Sequence, residues 1–301
     1  MPSLPAYVVV TPARNEAQFI ELTIQSVVAQ EVLPLKWVIV SDGSTDGTDE
    51  IVARYAAQHP WIELLRMAER RERHFAGKAY AIHAGVARLM DLPFQALACL
   101  DADITFESGY FAFLLDKLVQ DPKLGIAGTP YVDTTSETYD FRYVSLEHVS
   151  GACQLFRRAC WEQIGGYVAA KGGAIDTIAV VSARMKGWKT RTFTEKHSQH
   201  HRELGTAQGA TLQARFVLGC RDYAMGNHPL WELSRVLYQM GKKPYLLRAL
   251  AIAAGYLRSS MGGVERPVSK EFVSFIRREQ MQRLRRRFLP AHSRGISQPG
   301  Q

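Results

Sequence analysis

The chain has 301 residues, 47% of them hydrophobic, and a formal net charge of +8. This length and apolar content exclude a chain that stays disordered and suffice for one large α/β core plus a tail. The four cysteines (Cys99, Cys153, Cys160 and Cys220) form no Cys-x-x-Cys pair, which excludes a disulfide scaffold and is expected of reduced core residues in a cytosolic protein.

Met1-Pro2-Ser3-Leu4-Pro5 leads straight into a first predicted strand, Tyr7-Val8-Val9-Val10, so no secretory leader is expected. Pro12 ends that strand, because proline cannot extend the ladder. A helix follows, with Phe19, Ile20, Thr23, Ile24, Val27 and Val28 at helical spacing. Trp37-Val38-Ile39-Val40 is a second buried strand, running into Ser41-Asp42-Gly43-Ser44-Thr45-Asp46-Gly47-Thr48, a turn by composition. The helix it opens is predicted to carry Asp46, Asp49 and Glu50 in its first turn, where the helix dipole favours negative charge. Gly77-Lys78-Ala79 opens a further helix with Ala81, Ile82, Gly85, Val86 and Leu89 on its apolar face. Lys78 is unfavourable for the dipole there, so either a nearby anion or a surface salt bridge accounts for it.

The apolar run Ala96-Leu97-Ala98-Cys99-Leu100 ends in Asp101-Ala102-Asp103. Two carboxylates one residue apart put hard oxygen ligands at the carboxyl edge of a sheet, where ligands of open α/β sheets bind. Mg²⁺ or Mn²⁺ held by one or two carboxylates keeps positions open for a substrate diphosphate. Alternating strands and helices with short links imply parallel strands joined by right-handed crossovers.

Pro12-Ala13-Arg14-Asn15-Glu16, Ser41 to Thr48, Gly77-Lys78-Ala79 and Leu100-Asp101-Ala102-Asp103 resemble, in order and spacing, the successive motifs of family 2 inverting glycosyltransferases. The resemblance covers roughly residues 6 to 205. It implies a GT-A fold: an open, mostly parallel sheet flanked by helices, with a nucleotide-sugar half at about 1–105 and an acceptor half at about 106–205. It also implies roles. Pro12, Ala13 and Glu16 line the base and ribose, and Asp42 hydrogen-bonds the base, most often uracil. Lys78 lies near the diphosphate, Asp101 reaches the ribose or metal, and Asp103 coordinates Mn²⁺ or Mg²⁺.

Inverting transfer needs a carboxylate to take the acceptor proton. Counting back from Gly187-Trp188, Asp176 falls where the family's second acid falls, while Ile175 replaces the first. Asp176 is therefore the expected base, with an N-cap for the following helix as the competing role. The lost acid equally leaves open altered chemistry or a dead site. Past a strand predicted over Thr190 to Thr194, His197-Ser198-Gln199-His200-His201-Arg202 offers an imidazole to the metal, from His200 or His201. Arg202 suits the diphosphate, being bidentate.

The remainder, 206–290, is expected to be a helical extension, and 291–301 a disordered tail. The apolar run Pro244 to Leu257, interrupted by Arg248, is too short to span a bilayer. Glu271 to Phe288 follows as a helix carrying Arg277, Arg278, Arg283, Arg285, Arg286 and Arg287, with Phe272, Ile276, Leu284 and Phe288 as its stripe. These segments suit either an anionic membrane surface or a helical cap on the core. No aromatic–basic interleaving points to nucleic acid. Two functions stay open. One is an enzyme, cytoplasmic or peripheral on the inner face of the cell membrane. It passes sugar from a nucleotide-sugar donor, most simply a UDP-sugar, to a glycan or lipid-linked acceptor in polysaccharide or glycolipid synthesis. The other is a nucleotide-sugar-binding partner or regulatory subunit without turnover.

Overall fold

The computed structural model describes residues 3–68, 76–133, 145–202, 212–241 and 245–288. The chain forms two compact units, Met1–Ala210 and Thr211–Gln301. The tail expected from residue 291 and the boundary expected at 205/206 lie outside the described residues.

The first unit is α/β. Its first half runs β1 (Tyr7–Ala13), α1 (Ile20–Val28), β2 (Lys36–Asp42), α2 (Thr48–Gln58), β3 (Ile62–Met67), α3 (Ala76–Ala87), β4 (Ala96–Leu100) and β5 (Ile104–Thr105). Then come α4 (Tyr110–Gln120), β6 (Leu124–Gly128), β7 (Tyr131–Asp133), β8 (Cys153–Arg157), α5 (Arg158–Ile164), α6 (Ile175–Met185), β9 (Lys189–Thr192) and β10 (Ser198–His200). Seven strands make one sheet, ordered β3-β2-β1-β4-β8-β6-β9. All pair in parallel except β8, which runs against both β4 and β6.

Val8, Val9 and Val10 of β1, Val38 to Val40 of β2 and the whole of β4 are buried. Helices cover both faces of a parallel sheet, so central strands carry continuous apolar runs rather than alternation. β3 lies at the sheet edge with Glu63 half-buried and Arg66 exposed, and its mixed composition is why no strand is predicted there. Gly85 lets α3 settle on β1 and β2. A Cβ at that position would stand 2.6 Å from Val10 Cγ1 and 2.9 Å from Val40 Cγ2. The strand predicted over Thr190 to Thr194 is found as β9, Lys189–Thr192.

A second sheet of three short strands, β5-β10-β7, shapes the site. β10 pairs antiparallel with β5, setting His200 opposite Ile104 and Gln199 opposite Thr105. It therefore carries a segment from late in the chain to the residues just after Asp103.

The second unit is helical: α7 (Leu212–Ala224), α8 (Pro229–Met240), α9 (Tyr245–Met261) and α10 (Lys270–Phe288). Pro229 opens α8 behind His228, whose Nδ1 accepts from Leu230 N at 3.1 Å; proline suits this position because its missing N–H had no helical partner anyway. α7 and α9 meet at Gly219 and Gly255. A Cβ on either would come within 2.0 Å of a backbone oxygen, of Ile252 and Phe216 respectively, so any side chain there would force these helices apart. On α10, Phe272 and Ile276 are 3% and 6% exposed. That part of the basic helix's apolar stripe faces protein. Gln280 is also buried, bonding Asn227 Oδ1 at 2.7 Å.

Candidate functional site

The loops after β1 and β2 are stitched into one rim. Asn15 adopts φ 57°, a left-handed conformation that asparagine tolerates better than most residues. Its backbone N–H donates to Ser44 Oγ at 3.1 Å, and its Oδ1 accepts from Thr45 N at 2.9 Å. Glu16 N donates to Thr48 Oγ1 at 2.8 Å, and Ala17 N to Asp46 Oδ2 at 3.0 Å.

Asp46 lies one residue ahead of Gly47, the N-cap of α2, rather than in the first turn as expected; Asp49 and Glu50 do occupy that turn. Its Oδ1 accepts from Thr48 N at 3.1 Å. Burial pushes the Asp46 carboxyl up, but the bonds from Thr48 and from backbone amides outweigh it and hold the pKa below the usual value. The sequence signal for this rim was Asn15 and Thr48, both read only as parts of motifs. Pro12 and Ala13 form the end of β1, aligned with Val40 and Ser41. Asp42, 6% exposed, ends β2, with Arg14 Nη1 3.8 Å from its Oδ2.

Asp101 follows β4 directly, and its backbone N–H is anchored to Ala152 O at 2.9 Å. Lys78, in the first turn of α3, brings Nζ to 2.5 Å from Asp101 Oδ1 and 3.5 Å from Gly151 O. Burial pushes the Lys78 ammonium down, but Asp101, with Asp176 and Asp103 near, more than offsets this and raises its pKa. The anion expected beside this lysine is therefore, in the first instance, Asp101. Burial raises the Asp101 carboxyl; Lys78 opposes this and Asp103 adds to it.

Asp103, 7% exposed, faces two side chains from the end of the unit: His200 Nε2 at 3.5 Å and Arg202 Nε at 3.3 Å, both from Oδ2. Arg202 also pairs through Nη2 with Glu16 Oε2 and stands over the Phe19 ring. So the Glu16 carboxylate points toward Arg202. Its pKa is raised to about 7, by burial first, with Arg202 opposing and Asp103 adding to the rise.

The two histidines behave differently. His200 Nδ1 bonds the carbonyl of Arg202, and a carbonyl only accepts, so Nδ1 carries the hydrogen. Nε2, the nitrogen left for a second partner, faces Asp103 Oδ2. His201 Nε2 is engaged by Thr105 Oγ1 at 2.8 Å, and its ring lies 6.4 Å from that of Phe19.

Asp176 lies in the first turn of α6. The N-cap is Ala174, at φ 61° and without a side-chain cap, so capping is not its role. Its carboxylate lies against Gly151, where an added Cβ would be 3.1 Å from Asp176 Oδ2. Gly151, which the sequence did not single out, thus joins the Lys78 contact to Asp176. Ile175 and Ile178, at positions where acids were expected, are buried.

The donor set fits a hard divalent cation: the carboxylates of Asp101 and Asp103, with the His200 imidazole beside Asp103. Among the described residues, no three His, Cys, Asp or Glu side chains gather closely enough to hold a metal ion by themselves. Any such ion would need oxygens from a substrate as well.

A family model described as glycosyl transferase family 2 matches residues 8–171. Among curated proteins, the chain is 22% identical over 198 residues to a poly-β-1,6-N-acetyl-D-glucosamine synthase of Staphylococcus epidermidis, covering 60% of this chain and 44% of the relative. It is 28% identical over 123 residues to the synthase of the same name from Staphylococcus aureus strain COL, covering 40% of this chain and 28% of the relative. The chain therefore spans less than half the length of these relatives. Among solved structures it is similar to the mannosyltransferase PcManGT from Pyrobaculum calidifontis in complex with GDP-Man and Mn²⁺. That match has TM-score 0.60 and 19% identity, covering 93% of this chain and 86% of the other. It is also similar to S. aureus TarS 1–349 in complex with UDP-GlcNAc, with TM-score 0.55 and 11% identity, covering 85% and 73%. These structural likenesses concern the fold, which is of GT-A type.

Proposed function

The chain belongs to glycosyl transferase family 2, and on that premise we propose that it transfers a sugar, with inversion, from a UDP-sugar to an acceptor hydroxyl. The observation that carries this reading is the convergence of Glu16, Asp101 and Asp103 with Lys78, Arg202 and His200 at the carboxyl ends of β1 and β4. In this reading the ends of β1 and β2 receive the nucleoside: Pro12 and Ala13 through backbone atoms, Asp42 by a hydrogen bond to the base. Lys78 and Arg202 meet the diphosphate, Arg202 with a fork that matches phosphate oxygens. Asp103, Asp101 and His200 would hold Mn²⁺ or Mg²⁺; the Thr105 bond of His201 favours His200 for this task. When bound, the cation would offset charge growing on the leaving diphosphate. Asp176 takes the acceptor proton from the opposite side, as in-line displacement requires.

Donor turnover tests the reading: the purified protein is expected to release nucleoside diphosphate from a UDP-sugar in the presence of Mn²⁺ or Mg²⁺. Binding without release would instead make the chain a non-catalytic nucleotide-sugar-binding partner.

The same reading sets the enzyme in polysaccharide or glycolipid synthesis, in the cytoplasm against the inner face of the cell membrane, with a glycan or lipid-linked acceptor. No helix among the described residues is long and apolar enough to cross a membrane; the contact proposed is with the membrane surface. Support comes from exposed leucines on two adjoining helices of the second unit: Leu233 and Leu237 on α8, and Leu246, Leu250 and Leu257 on α9. Arg258, Arg278, Arg285 and Arg286 are exposed as well. Since Phe272 and Ile276 of α10 are buried, lipid contact would fall on α8 and α9. The protein is expected to pellet with vesicles containing anionic lipid, with each nearby Arg contributing about 1 kcal/mol. Binding should fall steeply with salt, because the attraction decays over a Debye length of about 8 Å at physiological ionic strength. The double variant Leu233→Asp, Leu250→Asp should lose binding. Indifference of the wild type to such vesicles at low salt would remove the membrane from the account.

A further inference from the structure

Both carboxylates of the Asp101–Asp103 pair already have a protein cation against them. Lys78 Nζ is 2.5 Å from Asp101 Oδ1, and the Arg202 guanidinium bridges Asp103, with Nε at 3.3 Å, and Glu16. The bridge is incomplete in one respect. Arg202 Nε is buried and makes no hydrogen bond despite its short distance to Asp103. A buried donor left without an acceptor is costly, and a phosphate oxygen is the acceptor that a guanidinium fork fits best. The backbone of Arg202 is meanwhile pinned, because His200 Nδ1 bonds its carbonyl. The guanidinium can therefore change partners from a fixed base.

We propose that Arg202 is a built-in counter-cation at Asp103, held in reach by Glu16 as a positioning residue, which yields its place to a divalent cation only when a nucleoside diphosphate draws the guanidinium away. This rests on the reading of Asp103 as a cation ligand and deepens it. A guanidinium and a divalent ion on the same carboxylate oxygen repel each other strongly in a buried setting. Metal alone must displace Arg202 against its attraction to two carboxylates. With the diphosphate present, Arg202 exchanges those carboxylates for phosphate oxygens, and Asp103 is released to the metal. Metal and nucleotide consequently bind with positive coupling, and by linkage each raises the other's affinity by the same factor.

The test is a titration of the full chain with Mn²⁺, free ion being read by electron paramagnetic resonance, without and with UDP, after correction for the Mn²⁺–UDP complex in solution. Wild type is expected to bind Mn²⁺ alone weakly and to gain about tenfold or more in affinity with UDP, within the usual range for coupled sites. Arg202→Gln should bind Mn²⁺ alone about tenfold tighter than wild type, with the enhancement by UDP reduced to the part that phosphate oxygens on the ion supply directly. Arg202→Lys keeps the charge, but its single ammonium cannot bridge Asp103 and Glu16 together; it should shift the same way by less. If neither variant binds Mn²⁺ alone more tightly than wild type, the proposal is wrong. Asp103→Asn separates this failure from that of the underlying reading: it should lose Mn²⁺ with or without UDP, and retained binding would show that Asp103 is not a cation ligand at all.

Discussion

Asp176→Asn is expected to lower turnover by about 10²–10⁴-fold, the usual scale of general-base catalysis, while donor affinity stays within a few-fold of wild type. The asymmetry follows from timing. If Asp176 is the base proposed above, it acts only as the new glycosidic bond forms and the acceptor proton leaves, and so contributes little to ground-state donor binding. The substitution is nearly isosteric, and Asp176 is not the N-cap of α6, a place taken by Ala174, so the helix keeps its start. Asp176 lies against Gly151, whose carbonyl takes the Lys78 bond; a structural role would therefore be felt through Lys78 and the donor. Collapse of donor binding with turnover per bound donor preserved would convert Asp176 from base to support.

Asp103→Asn should reduce transfer by about a hundredfold or more, the scale on which preorganised charge stabilisation is lost. An amide oxygen cannot neutralise a cation as a carboxylate does, and its nitrogen would face Arg202 and His200, which now stand 3.3 and 3.5 Å from Oδ2. The fold should persist, because Asp103 holds β10 through its backbone: its carbonyl accepts from His201 N at 3.0 Å. Near-normal rates in this variant, with an unchanged melting temperature, would remove the cation from Asp103.

The central strands are legible in the sequence itself. β1, β2 and β4 are buried on both faces, so each is written as an unbroken apolar run, and the polar residues that follow each run mark one sheet edge. Harder to see was anything decided by a partner distant in sequence. His200 and His201 are neighbours in the chain, and only the pairing of β10 with β5 turns one toward Asp103 and the other toward Thr105. The direction of Glu16 depends on Arg202, 186 residues away. β3 carries Glu63 and Arg66 because it is an edge strand, and so lacks the apolar run that announced its neighbours. The stripe Phe272 and Ile276 was visible as a stripe, but periodicity does not say whether lipid or protein covers it; in the structure both are buried.

A site that turns over a nucleotide-sugar, rather than only holding it, releases UDP from a UDP-sugar; in the wild-type chain this release is followed together with donor binding on the same sample. Release is expected to stop on adding EDTA and to return with excess Mn²⁺ or Mg²⁺. Donor that binds tightly yet yields no UDP, with metal present and an acceptor glycan supplied, would contradict turnover.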